Sequence, residues 1–223
     1  MGNLGARKKN SVSSRFLEHK LAVAAAILLI GMVLMAILAP FRSPYDLDEL
    51  TGDFGRSPSK EHLLGTDKLS RDVLSRLMYA ARTSLVVGFG TMLFGTFLGT
   101  TFGLCAGFFG GRIDMFIMRI ADIISIFPPM MLILVTVSGL KPGVWNIVLI
   151  LGFLGCPETA RLVRSRVLVV KEENYIKSAI VTGVRNTRLL FFHILPNVIS
   201  PIVVNATFRV SSAIMTESAL SFL

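Results

Sequence analysis

Five apolar stretches, at residues 21–40, 84–109, 115–139, 144–163 and 198–223, constrain this chain more than anything else in it. A helix needs about 20 apolar residues to cross the hydrocarbon core of a bilayer. No water is present there to meet backbone N–H and C=O groups, so each stretch must satisfy its own hydrogen bonds as a helix. The chain is 52% hydrophobic and 17% charged, with a mean hydropathy of +0.67, which is more apolar than soluble domains ordinarily are. The first stretch lacks a small-x-small cleavage site and runs into Ala39-Pro40-Phe41, so it reads as an uncleaved span and not a signal peptide. The expectation is an all-α integral membrane protein with five spans.

A formal net charge of +9 could suit nucleic acid, but its distribution assigns it another role. Arg7, Lys8, Lys9, Arg15 and Lys20 precede the first span, and Arg112 and Arg119 flank the turn between the second and third. Arg161, Arg164, Arg166, Lys171, Lys177, Arg185 and Arg188 lie between the fourth and fifth, whereas residues 42–82 balance seven basic against seven acidic side chains. Positive charge in alternate connections marks the cytoplasmic side. Residues 1–20 are then a cytoplasmic lead-in, 21–40 the first span and 41–82 an extracytoplasmic loop. The surplus sets topology and meets anionic membrane lipid, with no nucleic-acid partner. Cys105 and Cys156 lie in different apolar stretches and form no disulfide framework or metal-ligand spacing.

Within 41–82, Pro44, Pro58 and three glycines read as exposed loop until Ser70, a candidate N-cap. An amphipathic surface helix is expected from there, with Val73, Leu74, Leu77 and Met78 on one face and Arg71, Ser75 and Arg76 on the other. In the second span Gly95, Gly99, Gly103 and Gly107 recur every four residues. Such a stripe lets helix backbones approach closely in lipid. In the third span Pro128 and Pro129 remove two consecutive backbone donors, and a break is expected there. Irregular backbone at that depth is tolerated where it lines a cavity, so both prolines are candidates for a translocation path. Arg119 and Asp122, three residues apart, are expected to pair on one helix face as a structural or gating ion pair. Pro157 suggests a second bend, with Glu158 able to pair with Arg161 or Arg164. Arg209 and Glu217 lie deep in the fifth span, where an ionisable side chain is a functional candidate by default; both join the translocation-path candidates.

The connection at 164–197 is basic and rich in small residues. Tyr175, Ala179 and Gly183 recur at four-residue spacing and should share one helix face, open to a docking protein. Gly183 should bend the chain, and Pro196 should restart a helix into the membrane.

This connection resembles the coupling loop of ABC-transporter permease subunits. That pattern runs Glu-Ala-Ala, three residues, Gly, nine residues, Ile-x-Leu-Pro; Ala179, Gly183, Leu195 and Pro196 match it, and His193 stands at its Ile. The run from Leu64-Gly65-Thr66-Asp67 through Arg71-Asp72-Val73-Leu74-Ser75-Arg76 to Arg82 is similar to the signature of the peptide/nickel branch. Arg119-x-x-Asp122 followed by Phe127-Pro128, and the ending His193-Ile194-Leu195-Pro196-Asn197, resemble the same branch. The resemblance implies the type I permease fold of an ABC importer, with a core at 83–223 and a coupling loop at 164–197. It implies residence in a bacterial or archaeal inner membrane. It also implies three kinds of partner: a second similar permease, two cytoplasmic ATPase subunits carrying ATP-Mg, and an extracytoplasmic binding protein. Tyr175, Ala179, Gly183, His193, Leu195 and Pro196 are then the ATPase-coupling residues. Di- or oligopeptide is the implied cargo, with nickel or a nickel chelate as the alternative, and a nucleotide-independent channel as the alternative from another class. Family members have six spans, so a chain ending at Leu223 within an apolar run is expected to be truncated before the last helix.

Catalytic motifs are missing from the sequence. No Gly-x-x-x-x-Gly-Lys-Ser/Thr phosphate loop occurs, and His19, His62 and His193 lie in three separate regions. The chain is not expected to be an enzyme, to bind a cofactor or to ligate a metal.

Overall fold

A computed structural model describes residues 19–43, 45–46, 49–139 and 143–222. Most of the lead-in before the first span, including Arg7, Lys8, Lys9 and Arg15, lies outside the described residues. The chain divides into two compact units, residues 1–82 and 83–223. Among the described residues everything regular is helical, apart from one isolated antiparallel bridge between Thr66 and Asp72.

In the first unit, α1 (Lys20–Arg42) is strongly apolar and buries almost none of its surface within the protein. Ile27, Leu28, Leu29, Ile30 and Ile37 stand exposed along it, as lipid-facing side chains do. The loop that follows is held by long-range backbone bonds, from Thr51 N–H to Ser70 O (2.9 Å), Gly55 N–H to Asp67 O (3.0 Å) and Thr66 N–H to Arg56 O (3.0 Å).

The helix after this loop does not begin on Ser70. Asp67 Oδ1 accepts the N–H groups of Leu69 and Arg71, a turn that carries Ser70 to a φ of 62°. Asp72 stands one residue before the helix, and its Oδ2 accepts the Ser75 N–H and the Ser75 hydroxyl, both at 2.8 Å. Its Oδ1 meets His62 Nδ1 at 3.0 Å, and the His62 ring stacks on Tyr45 with centroids 4.9 Å apart. His62, Asp72 and Ser75 are all buried, so this is a small polar core and not a solvated face. Of the expected apolar face, Met78 is buried and Leu77 exposed, and Ser75, expected on the opposite face, is buried together with Ala81.

Burial pushes the Asp72 carboxyl up, but the Ser75 and His62 hydrogen bonds outweigh it and hold it below the usual value of 3.8. A carboxyl lowered on folding contributes stability that is fully present above the unfolded value and is lost as pH falls through the folded one. Amide exchange around Ser75 is therefore expected to stay slow from pH 7 to about 5 and to accelerate on acidification below the ordinary aspartate range. Asp72→Asn should abolish that acid response; a pH profile identical to that of the unchanged protein would count against this cap.

The next helix, α2 (Val73–Phe109), runs unbroken for 37 residues. The expected surface helix and second span are thus one element, about 55 Å long at 1.5 Å per residue. That exceeds the hydrocarbon thickness of about 30 Å, so part of it stands outside.

In the second unit, α5 (Val144–Lys171) is the central element. It packs against α3 (Gly111–Ile126), α4 (Pro129–Gly139) and α8 (Leu195–Phe222). The glycine stripe of α2 lies on the same helix: a Cβ built at Gly99 would sit 2.5 Å from Thr159 Cβ, at Gly103 2.6 Å from Ala160 O, and at Gly107 2.7 Å from Val167 Cβ. Any side chain there would hold the two helices apart. α5 passes through Pro157 as one continuous helix.

The expected third span is two helices, α3 and α4, bent by 81° at Phe127-Pro128. Phe127 is extended (φ −81°, ψ 136°), because a following proline disfavours helical geometry. Among the described residues four helices are long and apolar enough to cross a membrane, or five when α3 and α4 count as one bent span. After α5 come α6 (Asn174–Val181), the single turn α7 (Asn186–Arg188), a π-helical turn (Leu189–Ile194) and α8.

Candidate coupling helix and membrane cavity

Eight residues are too few to form a stable helix in water unaided; α6 is held from outside. Upstream, Lys171 closes α5 and donates to the α2 carbonyls of Phe108 (2.8 Å) and Gly107 (3.4 Å), where a cation offsets the helix dipole. Ile176, fully buried, is the anchor: it sits in one core with Leu104, Val163, Val167, Leu189, Ile194, Val198 and Ile202. Burying such a side chain is worth about 1.5–3 kcal/mol. Downstream, Val184 N–H donates to Ala179 O (3.1 Å) and Gly183 N–H to Ile180 O (3.0 Å). This is a Schellman closure with Gly183 at φ +77°, and Val184 and Ala179 pack on the same core.

That anchoring rotates the helix relative to the expected face. Tyr175 is exposed and Gly183 lies in the exposed turn, but Ala179 packs inward one turn after Ile176. The outward apolar residues are Tyr175, Ile180 and Val181, the last 87% exposed. Ile180 and Val181 escape a reading based on small-residue spacing, because only the position of Ile176 in the core fixes which side faces out.

Pro196 restarts nothing, since the chain is helical from Asn186 to Phe222. The break in regularity comes earlier, in the π turn, where Leu195 N–H reaches back five residues to Leu190 O. Five residues in an α-helix turn about 500°, which would splay Leu189 and Ile194 apart; the wider π turn brings both into the core. His193 and Leu195 are half-buried beside it, and Pro196 is exposed.

The charged residues also find partners other than the expected ones. Asp122 pairs with Arg161 of α5 at 3.4 Å, not with Arg119, which lies exposed. Arg164 grips Asp114 with two hydrogen bonds, one of 2.6 Å. Both arginines that Glu158 was expected to meet thus tie α5 to α3. Glu158 itself makes no ion pair or hydrogen bond with a described residue.

Glu158 opens instead onto a cavity of about 310 Å³ between α2, α4, α5 and α8, lined also by Thr91, Pro129, Asn205, Phe208, Arg209 and Ser212. Arg209 is 8% exposed. Its Nε donates to Thr159 Oγ1 at 3.0 Å and its Nη2 to Gly155 O. The Thr159 hydroxyl passes its own proton to Asn205 Oδ1 at 3.1 Å. The guanidinium fits because Gly95 and Gly155 have no Cβ; one at Gly95 would lie 2.8 Å from Nη1. Of the four translocation-path candidates, Pro129 and Arg209 line this cavity and Pro128 forms the break beside it. Glu217 is buried elsewhere, accepting the hydroxyls of Ser84 (3.1 Å) and Ser221 (3.0 Å), and so links α8 to α2. No cluster of metal-ligating side chains occurs among the described residues.

Among the described residues the fold is a multi-span helical bundle with a short anchored helix, α6, between α5 and α8. Residues 99–223 match the family described as the binding-protein-dependent transport system inner membrane component, and residues 11–59 match the N-terminal transmembrane domain of oligopeptide transport permease C. The chain is 40% identical to the dipeptide transport system permease protein DppC of Alkalihalophilus pseudofirmus, over 92% of this chain and 68% of that protein. It is 39% identical to the glutathione transport system permease protein GsiD of Pectobacterium atrosepticum, over 94% of this chain and 70% of the relative. To the oligopeptide transport system permease protein OppC of Bacillus subtilis it is 37% identical, over 94% and 69%. The chain belongs to the family of binding-protein-dependent transport permeases.

Proposed function

We propose that the chain is the permease subunit of an ATP-driven importer that carries small peptides across a bacterial inner membrane, with its N-terminus in the cytoplasm. The α6 helix carries this reading. It is pinned to the core by Ile176 and presents Tyr175, Ile180 and Val181 outward, which suits a helix that seats in a groove of another protein. Because its root is buried among α2, α5, the π turn and α8, a displacement of α6 is transmitted to the spans. Tyr175 and Gly183 belong to this docking surface, with Ala179, His193 and Leu195 behind it and Pro196 at its exit.

The partners are two ATPase subunits that hold ATP-Mg, a second similar permease and an extracytoplasmic binding protein. The chain itself is a conduit and not a catalyst, and its helices follow the type I importer permease fold. Peptide is favoured as cargo because the three relatives above are named for dipeptide, oligopeptide and glutathione transport. The path is placed along the α3–α4 break and the cavity beside it. In proteoliposomes holding the complete transporter, uptake of labelled Ala-Ala is expected to require both ATP and the binding protein. Uptake independent of ATP would instead indicate a channel, and transport of nickel but no peptide would indicate the metal.

A further inference from the structure

Several polar groups line the α5–α8 cavity with donors or acceptors that no described residue meets. Thr91 is 4% exposed, and its hydroxyl has no hydrogen-bond partner among the described residues. Asn205 spends its carbonyl oxygen on Thr159, which leaves both amide protons free. Arg209 uses Nε and one side of Nη2, while Nη1 makes no hydrogen bond with a described residue. Glu158 makes no hydrogen bond or ion pair with a described residue. A cation and an anion thus line one cavity without coming within ion-pairing distance. Each charged group therefore keeps hydrogen-bonding capacity to offer a ligand. Ile133, Leu151, Leu154 and Phe208 supply apolar wall, and Ser212 and Thr216 add two hydroxyls.

We propose that this cavity is a binding site for the charged ends of a small zwitterion, with its carboxylate on Arg209 and Asn205 and its α-ammonium on Glu158. Planar guanidinium and amide donors match a carboxylate, and a lone carboxylate matches an ammonium group. The Thr159 hydroxyl is a positioning group. By accepting from Arg209 and donating to Asn205, it ties the two side chains together. A cavity of about 310 Å³ lies at the small end of ligand pockets, the size of a short peptide or one end of a longer one. The inference rests on the peptide-import reading above and adds the place where the translocated peptide's termini are recognised.

The test is uptake by the complete transporter in proteoliposomes, with the binding protein saturated in turn by Ala-Ala, N-acetyl-Ala-Ala and Ala-Ala amide. Glu158→Gln removes a charge at constant shape on an exposed side chain. It is expected to slow Ala-Ala uptake about ten- to hundredfold, the worth of one charge-assisted contact. N-acetyl-Ala-Ala should be slowed less than about twofold. Asn205→Ala should collapse discrimination between Ala-Ala and its amide, and Glu158→Asp should restore most of the preference for a free amino end. Equal slowing of all three peptides by Glu158→Gln would make Glu158 a gate and overturn the proposal, as would unchanged discrimination. No Ala-Ala uptake by the unchanged transporter would sink the peptide reading itself, and this inference with it.

Discussion

Gly99→Val is expected to strip most of the folded protein from the membrane. Its Cβ would sit 2.5 Å from Thr159 Cβ and 2.9 Å from Cys156 O, both rigid parts of α5. Neither neighbour can swing aside, so the helices must separate along the stripe. Overpacking a tight contact costs about 1–3 kcal/mol and more where backbone must move. Lipid offers no hydrophobic gain to offset it, because apolar surface is as well solvated by acyl chains as by another helix. Separation would also disturb the seat of Arg209, whose Nη1 occupies the notch at Gly95 one turn away. Gly99→Ala should lower the melting temperature in detergent by about 4–10 °C. Gly31→Ala and Gly31→Val should do nothing, since no atom lies within 4 Å of a Cβ there. Size-exclusion profiles and melting curves of the four variants decide the matter; a monodisperse, thermally unchanged Gly99→Val protein would refute the close α2–α5 contact.

The second large effect concerns α6. Ile176→Ala is expected to remove about 2–5 kcal/mol and to free a helix too short to stand alone. Amide exchange over residues 174–181 should rise sharply, and ATP-driven Ala-Ala uptake should fall at least about tenfold, because a loose helix transmits no displacement. Ile180→Glu with Val181→Glu changes only the outward face. Melting temperature and exchange should stay as before, while co-purification of the ATPase subunits is lost. If the outward pair is silent and the ATPase still binds, α6 is not its docking element.

These two experiments lie on opposite sides of what a sequence reading can reach. The stripe was legible, because a four-residue glycine period in an apolar run has few uses other than close helix contact. Which helix it meets was not, since Gly99 meets Thr159 and Gly107 meets Val167, far along the chain in α5. The face of α6 was misjudged for a similar reason. Tyr175, Ala179 and Gly183 share a spacing, but spacing defines a stripe without saying whether it points to solvent or to core. Ile176 decides that, through neighbours drawn from α2, α5, the π turn and α8. Charge pairing followed the same rule: Arg119 and Asp122 are adjacent on one helix, yet Asp122 pairs with Arg161, which α5 brings alongside.

By itself the sequence determined what the backbone obeys locally. Apolar length dictated helices where lipid leaves no other hydrogen-bond partners. Phe127 before Pro128 dictated the break between α3 and α4, and a residue free to adopt positive φ dictated the turn at Gly183. Only the tertiary structure decided the partners of buried polar groups: His62 with Asp72, Arg209 with Thr159 and Gly155, Glu217 with Ser84. Local conformation is set by neighbours a few residues away, whereas a buried charge is satisfied by whatever the packing of distant helices sets beside it.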